Sequence, residues 1–141
     1  MPTRRGLRSA GLPYKAETPA ETLVHHTAMV GRLRLHLAVA YPEAECESER
    51  AIRQRAAGAP LRRADGGLLF PDGTAVGIEL ERYVKKLPRY LGVVANTDPD
   101  WTKGVWWFTP ANLVPLLTQR LAEAGGGDVH QVYPLPPEVA L

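Results

Sequence analysis

Residues 62–86, RRADGGLLFPDGTAVGIELERYVKK, read as two β-strands joined by a tight turn and followed by a helix. Asp65 opens the first strand, and Gly67 to Phe70 form its apolar run. Pro71-Asp72-Gly73 is turn chemistry, because proline presets φ and Asp and Gly tolerate turn conformations that bulkier residues resist. The second strand, expected over 74–81, carries Glu79 and Glu81 two residues apart. On a strand that spacing puts both acids on one face, opposite Ile78 and Leu80. A half-solvated hairpin shows the same alternation on its wet face. The other reading is a crowded acidic group, with Asp65 brought near Glu79 by the turn. Carboxylates about 4–6 Å apart repel and titrate abnormally unless a cation sits between them. An all-oxygen set suits Mg²⁺ or Mn²⁺, not zinc.

Upstream, residues 1–18 mix Gly6, Gly11 and Pro13 with basic and small residues, without helix or strand period, and are expected to form an N-terminal arm. Thr18 and Glu21 have capping-box spacing around Pro19, so a helix is expected over 19–39, ended by Tyr41-Pro42. Its apolar stripe is Leu23, Ala28, Met29, Leu33 and Leu37. His25 and His36 lie three turns apart, and packing or capping is the reading for both. Glu43, Glu45, Glu47 and Glu49 then predict a strand with an acidic face that buries Ala44, Cys46 and Ser48, passing into a turn or short helix at Ile52.

Downstream, a helix is expected over 83–94, with Tyr83, Leu87, Tyr90, Leu91 and Val94 on one side and Pro88 marking a start or a kink. KGVWWFT (103–109) is an apolar strand with Trp106 and Trp107 on opposite faces, expected at the sheet centre. A helix over 110–124 stops at Gly125–Gly127, a last strand covers 128–135, and 136–141 is a Pro-rich tail. The fold class is thus α/β, order αβββαβαβ: a mixed sheet flanked by helices in one domain, 19–135.

The 141 residues suffice for one core, and 45% apolar with 23% charged residues is ordinary for a globular chain. A net charge of +2 gives no bulk nucleic-acid signal. Arginines and lysines nevertheless cluster at 4–8, 50–63 and 82–89, either as a phosphate-facing rim or as solvated surface. The lone Cys46 excludes an internal disulfide. No signal-peptide pattern or membrane-length apolar run is present, so a cytoplasmic location and no membrane partner are expected.

LVHHTAMVGRLRLHL (23–37), SERAIR (48–53), RRADGGLLF (62–70) and VGIELERYVKKLPRY (76–90), taken in order, resemble the plasmid replication-relaxation family, within the PD-(D/E)xK, or restriction-endonuclease-like, nuclease superfamily. The resemblance spans about residues 4–124. It implies a restriction-endonuclease-like sheet, with Asp65 and Glu79 as ligands of Mg²⁺ (or Mn²⁺) and the Leu80 carbonyl as a third oxygen. Glu49 or Glu47 would orient a water. Arg50, Arg53, Arg63, Arg82 and Lys86 would contact the DNA backbone. Ala64 replaces the motif proline without consequence for the ligand. Glu81 stands where the motif has lysine, and a glutamate can take a proton or bind metal but cannot stabilise developing negative charge. Lys85 or Lys86 is the candidate substitute. The implied function is a Mg-dependent DNA endonuclease or nickase in plasmid or mobile-element replication and relaxation. The alternative is a catalytically inactive nuclease-fold module that binds DNA or docks on replication or transfer machinery; a structural partner with solvated acids is a third reading. Family members usually carry an N-terminal winged helix-turn-helix; Thr3-Arg4-Arg5-Gly6-Leu7 resembles the end of one, so the resemblance implies a truncated relative or half of a split system. DNA is therefore the expected partner, with a homodimer or a separate winged-helix subunit supplying the remainder.

Overall fold

The computed structural model describes residues 17–140 except 56 and 60, with side chains from 23 onward. The arm expected over 1–18 falls almost wholly outside that range, as do the side chains of the Thr18–Glu21 capping box. The elements are α1 (Glu17–Ala40), β1 (Glu45–Ser48), α2 (Glu49–Arg55), β2 (Gly66–Leu69), β3 (Ala75–Leu80), α3 (Leu87–Ala95), β4 (Val105–Thr109), α4 (Val114–Glu123) and β5 (His130–Pro134). A single 3-10 turn, Ala111–Leu113, leads into α4. The fold is α/β, and its order differs from the expected one by α2, which the sequence reading left open between turn and helix. Ser48 explains the switch: its hydroxyl accepts the Ala51 N–H at 3.1 Å, an N-cap that ends β1 and starts the helix.

The five strands stand in the order β1-β2-β3-β4-β5. The first three pair antiparallel, and β3, β4 and β5 pair parallel. The β2–β3 turn forms as its chemistry requires. Gly73 adopts φ 88°, its N–H donates to the Phe70 carbonyl at 3.0 Å, and the Asp72 carboxylate accepts the Thr74 N–H and hydroxyl. The resulting register sets Gly66 opposite Ile78, and therefore carries Asp65 towards Glu79.

Alternation along β3 divides the core. Leu68, Val76, Ile78, Leu80 and Phe108 face α1, whose Met29, Leu33 and Leu37 are buried. On the other side Ala75, Val105 and Trp107 meet Tyr90 and Val93 of α3 and Leu117 and Leu121 of α4. Trp106 and Trp107 do fall on opposite faces of β4, but β4 is an interior strand next to the edge strand β5, and the sheet centre is β3. Gly67 and Gly77 are glycine for a packing reason. A Cβ on either would come within 2.7 or 2.9 Å of the Trp101 ring, which lies across both strands.

Three expectations change. The α1 stripe is shorter than read, since Leu23 is exposed. The helix expected from Tyr83 begins at Leu87, because Pro88 is accommodated only in a first turn; Tyr83 is exposed and the buried residues are Tyr90 and Val93. The Pro-rich end read as a tail from 136 folds back and places Val139 in the core at 0% exposure, next to Leu135. No described helix is long and apolar enough to cross a membrane.

Candidate nucleic-acid interface

The acids of the hairpin are not on a wet face. Glu79 is 3% and Glu81 4% exposed, so the alternation reflects two buried faces rather than one solvated one. A buried carboxylate needs a partner, and each acid here has a basic one.

Arg62, in the segment before β2, grips Glu79 through Nε at 2.9 Å and Nη2 at 3.2 Å, a two-pronged contact. The guanidinium lies 6.0 Å over the Trp107 ring, and its charge also acts on Asp65 and Glu81. Burial pushes the Glu79 carboxyl up to about 8; the Asp65 charge adds to this, while Arg62 opposes it. The charge of Arg62 also reaches His130. That ring accepts the Trp107 Nε1–H at 2.9 Å through Nδ1 and is therefore neutral, with burial holding its pKa down at about 4.

Asp65 closes the end of the sheet. Its Oδ2 accepts the Leu80 N–H at 2.8 Å, in place of a further ladder bond, and its Oδ1 meets His26 Nε2 at 3.2 Å. That contact raises the His26 pKa against the desolvation that lowers it. Glu81 is gripped from both sides: Lys85 Nζ lies 2.8 Å from one oxygen, and the Tyr90 hydroxyl donates to the other at 2.6 Å. Tyr90 in turn accepts the Lys85 N–H at 2.9 Å, and burial together with Glu81 raises its pKa out of the ordinary phenol range. Thr109 donates to the Glu81 carbonyl at 2.7 Å, so the end of β3 is pinned by β4.

These residues border one cleft of about 250 Å³ at the carboxyl end of β3, lined by His26, Arg62, Asp65, Leu80, Glu81, Arg82, Tyr83, Lys85 and Arg89. Of the residues singled out in the sequence, Asp65, Leu80, Glu81, Arg82 and Lys85 meet here, with Glu79 behind Arg62. Arg63 lines an adjoining cleft. Lys86 is exposed at the N-cap of α3. Arg50 and Arg53 lie on α2, exposed, where Arg53 pairs with Glu49 at 3.0 Å. Glu49 is close enough for its charge to raise His26, whereas Glu47 is bound by Arg55.

Sequence reasoning took Arg62 and Arg89 only as members of a basic rim, without the Arg62–Glu79 pairing, and gave no role to His26 or the hydroxyl of Tyr90. His26 shares the helical phase of Met29, Leu33 and Leu37, which was the available signal. His25 is exposed instead, and His36 pairs with Glu138.

The donor set as held does not fit a divalent cation. Both oxygens of Glu79 are taken by a guanidinium, and both of Asp65 are engaged, so a metal would meet a resident positive charge. Among the described residues no group of three or more His, Cys, Asp or Glu is placed to hold a metal ion. No family model matches the chain, and comparison with curated proteins and with solved structures found no match.

Proposed function

We propose that this protein is a DNA-binding module on a restriction-endonuclease-like core, belonging to the replication or transfer machinery of a plasmid or mobile element. Its acids are held by the protein's own basic groups. The observation that carries this reading is Arg62, a half-buried guanidinium forked onto the buried Glu79 and acting on all three acids of the motif. The sheet supports the fold assignment: an antiparallel three-strand meander followed, after a helix, by a parallel strand is the arrangement the motif resemblance implies. Arg82, Lys85 and Arg89 around the cleft supply the phosphate contacts, which position a backbone without reading sequence.

Binding of a labelled duplex and a labelled single strand, followed by anisotropy across a salt series, tests this. Arg82→Ala should lower affinity and flatten the salt dependence by about one phosphate contact, close to 0.7–0.9 in log–log slope. Unchanged binding would remove the cleft from the interface.

The second reading is a metal-dependent endonuclease or nickase, and one contact favours it. Lys85 Nζ on Glu81 brings an ammonium to the position whose motif lysine is missing. This reading requires Arg62 to release Glu79. Plasmid nicking with Mn²⁺, lost in Asp65→Ala, would establish it.

A further inference from the structure

A second cleft of about 480 Å³ runs between the segment 61–63 and α3, sharing Arg62 and Arg89 with the first. Arg63 and Asn96 also border it, and among the described residues no carboxylate does. The chemistry is that of an anion site. The Arg63 Nε is buried and has no hydrogen-bond acceptor among the described residues, which is costly for a group able to donate. Arg62 is committed to Glu79, while Arg63 and Arg89 have no carboxylate partner among the described residues. Gly92 leaves the α3 wall open, since a Cβ there would meet nothing within 4 Å.

We infer that the Arg63–Arg89 cleft is a phosphate subsite, holding a backbone phosphate of the strand whose neighbouring phosphate lies against Arg82 and Lys85. This rests on the DNA-binding reading above and adds a place and a path to it: the strand passes from the end of β3 along α3, with Arg89 shared between the two phosphates. Arg63 is suited to such a role because a planar guanidinium makes paired bonds to phosphate oxygens.

Gly92→Asp tests the subsite without removing either arginine. It sets a carboxylate in an open wall, and loss of a mid-helix glycine favours the helix. Anisotropy with a labelled single strand is measured over a salt series for the wild type, Gly92→Asp and Arg63→Ala/Arg89→Ala. Lys103→Ala, bonded to the amino end of β3 with its ammonium over the Phe70 ring and lining neither cleft, is the control. The expected result is at least a tenfold affinity loss for both test variants. The double variant should also lose about 1.4 in slope, two single-strand contacts' worth, with the control unchanged. DNA binding with wild-type slope in the double variant would overturn the subsite. If the wild type binds no DNA, inorganic phosphate decides. A phosphate-induced rise in melting temperature that is absent from the double variant keeps the anion site and refutes only the DNA reading. No rise refutes both.

Discussion

Replacing Glu79 with glutamine removes one titration from the centre of the molecule while keeping the side chain's size. The Glu79 carboxyl is 3% exposed, and burial raises its pKa from 4.5 to about 8. A carboxyl raised in the folded state favours the protonated fold. Its stabilisation is therefore complete below about pH 4.5 and is lost as pH climbs through about 8. The gap between the two values corresponds to roughly 4–5 kcal/mol. Glu79→Gln cannot lose that amount, so its unfolding free energy relative to wild type should rise by up to roughly 4–5 kcal/mol between about pH 5 and about pH 9. The comparison cancels every group that does not sense the Glu79 charge; His26, which Glu79 helps to raise, adds a smaller term of its own. Urea unfolding followed by tryptophan fluorescence, in EDTA, measures it; Trp101 and Trp107 are buried reporters on that face. Parallel pH profiles for the two proteins would refute the reasoning, and would mean that Arg62 keeps the carboxylate ionised throughout.

Other outcomes follow from the same contacts. Tyr90→Phe strips a buried Glu81 oxygen of its 2.6 Å donor and should cost about 1–3 kcal/mol by the same assay. Gly77→Ala forces a methyl group against Trp101 and should destabilise by about 1–3 kcal/mol, with Trp101→Leu recovering part of the loss. The Asp65 contact raises the His26 pKa, so its contribution to stability is complete below about pH 6.5 and fades as pH rises through the folded value. Asp65→Asn should bring the imidazole back towards 6.5 in an NMR titration.

The hairpin was legible because its signals are local. Pro71-Asp72-Gly73 sets the turn, the turn sets the register, and the register carries Asp65 to Glu79. The tryptophan pair likewise announced a strand buried on both faces. The partners of the acids were not legible, since they come from elsewhere in the chain: Arg62 reaches across 17 residues and His26 across 39. Spacing showed that Glu79 and Glu81 share a side; only the packing of α3 and α4 over that side shows that it is dry. The burial of Val139 was hidden for a related reason, because a short segment among prolines has no period to read.

Incubating supercoiled plasmid with the protein in Mn²⁺ or in EDTA, beside Asp65→Ala, and resolving the products on a gel tests the central claim most directly. Plasmid retarded but intact in both buffers is the expected result for a DNA-binding module whose acids are held by Arg62, His26 and Lys85. Nicked circles that form only with Mn²⁺ and vanish in Asp65→Ala would contradict it and make the cleft a working nuclease site.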